Sequence, residues 1–514
     1  MSAPSTNALN FVVTGGGITG LTCAYLLKRT GHNVIILEKS SRSEEIACED
    51  GGVRVPPNMM RLLQELPGME EMLKTKATKC AGILFHQCSG VEGKEDEPAK
   101  LVGKMDFAQE IMNDLGCDFY FIPHKDLHEY LRTLCISSGV HIRYEFEVVE
   151  VQTSGPSEGI PRVLSKSGEQ VTGDIVIGAD GKNSAVRKVL LAEQDEDEEI
   201  DSTTAGSDKS ALSPIQAIVG ATLSIPISVL KSDPELESLL QGENHWMVYM
   251  GDGTSIAMAR YGPELYLLDL TYGQPPLPGD EDEEWLSSGT PVQKVLNKAR
   301  EYDARVKKLI TLAKTSHWNI QTVYDLQRYV SKFNQVVVIG DAAHSTYING
   351  TQNTDLYMST HSCRAAAFED AFTLSRLFSR FSSSQQSKTS TSFLLSSYQQ
   401  IQQKRTQAME RSEMSTMLLL AIPPGSEREG RNNGFRLTLH LDGADDATLE
   451  RVWAGYVAQF NYDARDAVDE WWMTWARPAR LLIIFTVYPP ISLSSSTSDN
   501  PDDLSAILIN IHSP

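Results

Sequence analysis

The chain has 514 residues, 46 of them basic and 67 acidic, for a net charge of −21 at pH 7. That length accommodates two or three domains with sizeable cores. The acidic excess argues against nucleic acid or an anionic membrane surface as a partner, and no apolar run reaches the ~18 residues of a membrane span.

Taken in chain order, the first element is a short apolar strand at residues 11–13. Glycines 15, 17 and 20 follow, then a helix over 21–29 closing at Gly31, then a second strand, Val34-Ile35-Ile36-Leu37, and directly after it Glu38. Strand, glycine turn, helix, strand, acid is a dinucleotide-binding pattern. Its glycines let the backbone approach a pyrophosphate, whose charge meets the N–H groups of the helix start. Glu38 lies 18 residues past Gly20, near the spacing of about 20 at which an acid holds the adenosine ribose. FAD and NAD both use such a clamp, and this motif alone does not choose between them.

A strand at 171–177 runs into Gly178-Ala179-Asp180-Gly181, where a carboxylate leaving a strand end can accept hydrogen bonds from a ribose or from backbone donors. The almost wholly acidic residues 193–201 read as a solvated loop. Composition then turns β-like from 215 to 272, which suggests an antiparallel sheet. Gly251-Asp252-Gly253 has no helix behind it and reads as a hairpin, not a phosphate loop. Trp246, Tyr249, Tyr261 and Tyr272 are core candidates first and pocket candidates second.

A third strand, 336–339, leads into Gly340-Asp341-Ala342-Ala343-His344. His344, among small residues at a strand end, suits a structural role better than acid–base work. Residues 345–363 are polar and patternless. A core-facing helix resumes near Arg364, with Phe368, Ala371, Phe372 and Phe378 at helical spacing. A polar linker at 382–391, helices near 402–420 and 449–460, and a tail from 477 with no packing pattern complete the chain. Seven cysteines, an odd number, show neither a Cys-x-x-Cys pair nor metal-ligand spacing. No leader-like segment precedes the first strand, so a reducing, cytoplasmic compartment and no metal are expected.

The three glycine motifs in this order, with Glu38, Pro57-Asn58 and Arg61-Leu62, resemble the FAD-dependent class A flavoprotein monooxygenases, the salicylate-hydroxylase-like aromatic hydroxylases, over roughly residues 8–475. The resemblance implies an α/β fold. A Rossmann-like FAD-binding domain (8–187 with 331–410) would interleave with an antiparallel β-sheet substrate domain (211–330), followed by C-terminal helices (411–476) and an unstructured tail (477–514). It implies FAD as cofactor, held by Gly15, Gly17 and Gly20, with Glu38 on the adenosine ribose and Asp341 on the ribityl chain. Asp180 and Gly181 would sit near the pyrophosphates, Gly340 at the third turn, and Gly51 and Gly52 along the flavin. NAD(P)H and dioxygen would be co-substrates, a flavin hydroperoxide hydroxylating or epoxidising a small aromatic or natural-product substrate. With one glycine-rich fingerprint only, NAD(P)H is expected to bind transiently across the FAD domain.

Two departures stand out. His124 occupies the place of an arginine usual in the family, with Lys125 beside it. After His344 the expected proline and Gly-Gln-Gly turn are missing, so that 347–363 read as translated intron or another gene-model error. A defective or non-catalytic flavoprotein is therefore the alternative reading. A flavin halogenase fits less well, because Trp471-Trp472 lies near the C-terminus and no tryptophan-rich signature stands mid-chain.

Overall fold

The computed structural model describes residues 8–47, 51–88, 98–153, 159–202, 218–272, 296, 299, 302–313, 315–321, 326–344, 364–381, 388–441 and 444–476. The chain divides into two units, Met1–Val468 and Asp469–Pro514. In the second, the described residues end in a π-helical turn, Trp472–Ala476.

Five strands form a wholly parallel sheet: β1 (Asn10–Thr14), β2 (Asn33–Leu37), β3 (His141–Arg143), β4 (Ile175–Gly178) and β5 (Val336–Val338), in the order β5-β4-β1-β2-β3. The apolar runs of β1, β2, β4 and β5 are nearly continuous, as in a parallel sheet buried on both faces, whereas the edge strand β3 is exposed to half-buried. A separate three-stranded antiparallel sheet joins Val148–Gln152, Arg162–Ser165 and Gln170–Thr172. Phe11, Val12 and Val13 are buried, as are Ile175, Val176 and Ile177 and the whole of β5. The registers Thr14↔Gly178 and Gly178↔Val338 bring the carboxyl ends of β1, β4 and β5 level, so the three glycine motifs leave the sheet side by side.

Helix α1 (Ile18–Arg29) links β1 to β2; its N-cap is Gly17, with no side-chain cap and no acid in the first turn. It packs against α3 (His124–Ser137) and α5 (Arg364–Phe378). Between them, α2 (Pro57–Leu63) follows a strand, Gly52–Val55, that pairs antiparallel with Tyr120–Pro123, as does the short strand Thr78–Lys79.

A seven-stranded sheet runs Thr315–Gln321, Ile218–Pro226, Leu265–Tyr272, Thr254–Tyr261, His245–Met250, Gly82–Gln87, Lys100–Asp106. Its last two strands come from the first quarter of the chain, and the pairing of His245–Met250 with Gly82–Gln87 is parallel. The hairpin at Gly251-Asp252-Gly253 is closed by Gly251 N–H on the Thr254 carbonyl, 2.9 Å. Alternation divides this sheet into two buried faces. Trp246, Val248, Ala257, Tyr261 and Leu267 join a core with Phe119, Phe121 and Phe460, while Tyr249, Ile256, Met258 and Tyr266 face the opposite core with Tyr302 and Leu309.

Beyond the sheets lie α6 (Lys388–Leu420), α7 (Ser426–Leu437) and α8 (Asp446–Phe460). The acidic run expected as a loop is helical instead. It belongs to α4 (Arg187–Ser202), held where Glu193 accepts from the Lys332 backbone N–H at 2.8 Å and Glu196 faces Lys332 Nζ at 3.4 Å. The polar stretch 382–391 is partly helical, since α6 opens at Lys388, and α7 lies where no element was expected. Residues 345–363 and 477–514 lie outside the described residues, and with them the gene-model reading and the tail.

Candidate functional site

The three motifs interlock backbone to backbone. Gly15 N–H bonds the Leu37 carbonyl at 2.8 Å, Ala179 N–H the Thr14 carbonyl at 2.9 Å, and Ile339 N–H the Gly178 carbonyl at 2.9 Å. Gly15, at φ +97°, turns the chain so closely over the second motif that a Cβ there would stand 2.3 Å from the Ala179 oxygen. A Cβ on Gly20 would reach 2.1 Å from the Gly15 oxygen, and one on Gly340 would strike the Thr19 side chain at 2.9 Å. Gly17 and Gly181 have no neighbour within 4 Å of a built Cβ. Two of the first three glycines are thus required by protein packing, and bare backbone is offered outward at Gly17 and Gly181.

Glu38 leaves the end of β2 and reaches the glycine turn. Its Oε2 accepts from Gly16 N–H at 2.6 Å and its Oε1 from Ser40 N–H at 2.8 Å, and each oxygen has a second lone pair for a hydroxyl. Asp180 bends into its own turn, accepting from Ser184 Oγ and from the backbone N–H groups of Ala185 (2.8 Å) and Val186 (3.3 Å). Burial pushes its carboxyl above the usual range against those donors. Arg187, first residue of α4, donates to the carbonyls of Asp341 at 3.1 Å and Ala342 at 3.3 Å, tying the second motif to the third. Lys182 lies within the fields of Asp341 and Lys39; burial lowers its pKa and the Asp341 carboxylate opposes that.

Gly51 and His124 meet through the backbone, His124 N–H on the Gly51 carbonyl at 2.8 Å, and Gly52 pairs with Pro123. Gly52 has no room for a side chain, because a Cβ would lie 2.2 Å from the Tyr261 ring. The His124 ring stands 5.7 Å from that of His128, whose Nε2 donates to the Gly16 carbonyl at 2.9 Å. His128 went unnoticed in the sequence, although it sits four residues beyond His124 and on the same helical face. Arg54, also unflagged, is buried beside Gly52: its Nη2 donates to Asp269 at 3.0 Å, its Nε to Tyr261 Oη at 3.2 Å, and its guanidinium lies 4.3 Å over Trp246. Of the four aromatic candidates, Trp246 and Tyr261 therefore face this region. Tyr249 turns to the opposite core, and the Tyr272 side chain is outside the described residues.

His344 is structural. Its Nε2 is 2.8 Å from Asp370 Oδ2, which also accepts from Gly340 N–H at 2.7 Å, while Asp370 Oδ1 accepts from Gln402 at 2.9 Å. The third turn is pinned to α5 and α6 by this buried set. Next to it, Glu369 accepts from Asn58 at 2.8 Å and from Arg405 at 2.9 and 3.0 Å. Arg61 donates to the carbonyls of Leu115, Phe460 and Tyr462. The Asn58 and Arg61 that carried part of the resemblance are thus staples of the fold. Among the described residues, no cluster of three His, Cys, Asp or Glu side chains could hold a metal, and no helix is long and apolar enough to cross a membrane.

A dinucleotide fits this arrangement: an uncapped helix N-terminus with no acid in its first turn, two bare glycine backbones, and an acid at the neighbouring strand end. The FAD binding domain family matches residues 8–352, and the chain belongs to that family. Its relatives include a hispidin-3-hydroxylase of Neonothopanus nambi, 24% identical over 363 residues that cover 66% of this chain and 75% of the relative. Another is the FAD-dependent monooxygenase OpS4 of Beauveria bassiana, 22% identical over 469 residues, 90% and 96% of the two chains. A salicylate hydroxylase solved as a substrate complex shares the fold with a TM-score of 0.62 at 19% identity, covering 90% of this chain and 98% of its own. The resemblance to class A flavin hydroxylases holds, and with it the mixed α/β fold with C-terminal helices.

Proposed function

We propose that this chain is an FAD-dependent monooxygenase that uses NAD(P)H and dioxygen to hydroxylate or epoxidise a small aromatic or natural-product substrate in a reducing, cytoplasmic compartment. The observation that carries the reading is the convergence of three distant glycine turns on the level ends of β1, β4 and β5. The relatives' names supply the class of reaction, and the five described cysteines, all buried free thiols, agree with the compartment.

In this reading FAD supplies hydride acceptance and oxygen activation, and the chain supplies position and dryness. Backbone N–H groups at the start of α1, next to Gly17, neutralise the pyrophosphate, with Gly181 opposite. Glu38 accepts the ribose hydroxyls on lone pairs left over from Gly16 and Ser40. Asp341 would hold the ribityl chain from the turn that Gly340 forms, while Gly51, Gly52 and the His124 backbone would line the flavin. Asp180 shapes the turn beside the pyrophosphate position, its oxygens taking the Ser184 hydroxyl and the Ala185 and Val186 N–H groups. The substrate would lie against the sheet face that carries Trp246 and Tyr261, where a dense aromatic core keeps water from the reacting centre. No side chain needs to act as nucleophile.

Purification of the full chain tests this. A flavin spectrum with release of FAD on denaturation, together with NAD(P)H oxidation that rises on adding a phenolic acid from a panel and yields a hydroxylated product, is the expected result. A protein that stays colourless after incubation with excess FAD would sink the proposal.

A further inference from the structure

Two adjoining clefts, of about 470 and 490 Å³, lie along the seam between the small sheet and the seven-stranded sheet and share Ile227, Lys231 and Pro263. Six cations line them, Lys74, Lys76, Lys79, Lys125, Lys231 and Arg260, against three carboxylates, Asp126, Glu237 and Glu264. The clefts thus carry a net positive lining in a chain whose net charge is −21. Three of the cations are committed: Lys74 to Glu70 at 2.7 Å, Lys76 to Asp126 at 3.0 Å, and Lys79 to Asp118 at 2.8 Å. Lys125, Lys231 and Arg260 have no carboxylate within ion-pair distance among the described residues.

The seam also abuts the dinucleotide clamp. Gly262, on one wall, approaches the Lys76 carbonyl so closely that a Cβ would be 2.5 Å from it and 3.0 Å from Pro123, and Pro123 is the pairing partner of Gly52. An anion lying along the clefts would run its inner end toward Lys125 and the strand that borders the proposed flavin position. Each cleft has the volume of a site for a cofactor-sized ligand, and a concave wall of one sign concentrates its counter-ion.

We propose that this basic seam holds the phosphate groups of the reducing nicotinamide dinucleotide, with Lys231, Arg260 and Lys125 as its anchors. The inference rests on the monooxygenase reading and adds to it where the transient co-substrate docks. Its ligand chemistry is that of a pyrophosphate or phosphomonoester, and the arms of the test separate a dinucleotide from free phosphate.

The experiment compares wild type with Lys231→Glu and with the double variant K231E/R260E, using Lys166→Glu, a remote exposed site, as control. Flavin content and KM for the aromatic substrate are expected to stay as in wild type. KM for NAD(P)H is expected to rise about tenfold in K231E and further in the double variant, with inorganic pyrophosphate competing against NAD(P)H in wild type only and less effectively as salt increases. An unchanged KM for NAD(P)H in K231E/R260E with flavin retained overturns the proposal. If the wild type takes up no flavin, it is the monooxygenase reading that fails. Calorimetric titration with inorganic pyrophosphate then judges the seam alone: binding lost in the double variant keeps it as a phosphate site, and no binding to wild type removes it.

Discussion

A methyl group added at residue 15 and one added at residue 17 have opposite consequences. Gly15 has φ +97° and a Cβ would fall 2.3 Å from the Ala179 oxygen, so Gly15→Ala combines backbone strain with a backbone collision. A loss of at least about 2 kcal/mol in denaturant unfolding is expected. Gly17 sits at φ −69° with open space around it, so Gly17→Ala should leave the apoprotein within about 0.5 kcal/mol of wild type. The same variant should weaken FAD binding tenfold or more, read by flavin titration; undiminished FAD affinity would mean that Gly17 does not face the cofactor. The sequence writes these glycines identically, and only the folded turn tells which one backs onto protein. His86 offers a second test. It is stacked on Tyr249 with ring centroids 4.7 Å apart, and burial first, then the Arg305 charge, pull its pKa from 6.5 down to about 4, with Asp303 opposing. The native state therefore binds the proton less readily than the unfolded chain. The stabilising effect is complete above pH 6.5 and is lost as pH falls from 6.5 to about 4, amounting to about 1–3 kcal/mol. His86→Phe keeps the stack and removes the proton, so the difference in urea midpoint between wild type and variant should change across that interval and be flat above it.

Elements were legible where apolar spacing speaks and illegible where tertiary contacts overrule composition. The strands β1, β2 and β5 were readable because burial on both faces demands unbroken apolar runs. The single strand expected at 171–177 is two, Gln170–Thr172 in an antiparallel three-stranded sheet and β4 in the parallel one, because Gly173 and Asp174 break the run between them. The sites at their ends were readable because turns there need glycine. By contrast, α7 contains Gly430, Gly434 and two asparagines, poor helix formers all. It is held instead by Arg428 on the carbonyls of Ile422 and Gly251, both at 2.9 Å, and by Arg431 on the Leu419 carbonyl at 2.9 Å. Bonds of this kind, from side chains to carbonyls outside the helix, leave no apolar periodicity to find. The acidic run of α4 misled for the reverse reason: glutamate is a sound helix former, and its charge suggested a loop. If α7 is a helix despite its glycines, Gly434, exposed and without neighbours within 4 Å of a built Cβ, should accept alanine with a gain of about 0.5–1 kcal/mol. Thermal unfolding reads this out, and a loss of stability in Gly434→Ala would show that the segment is not helical there.

Across the whole of the first unit, the decisive arrangement is the joining of the strand that leaves Gly52 to the seven-stranded sheet. Arg54 makes that joint with Asp269, a fully buried ion pair whose carboxylate also accepts from Thr222 Oγ1 at 2.8 Å. Neither residue was marked in the sequence, since a lone arginine in one strand and a lone aspartate in another, 215 positions apart, give no signal until the two sheets are brought together. Desolvating both charges costs about as much as their attraction returns, so the pair contributes registration of the two sheets more than net stability. Asp269→Ala strands the guanidinium between Trp246 and Tyr261 and should cost about 3–5 kcal/mol. The double variant R54M/D269L, apolar and similar in volume, should recover most of that loss. Denaturant unfolding of the three proteins decides the matter. A double variant as unstable as D269A would mean that the pair itself, and not the relief of an unpaired charge, holds the joint. If stability recovers while flavin affinity or coupling of NAD(P)H oxidation to product does not, the buried charges serve to align the substrate face with the clamp.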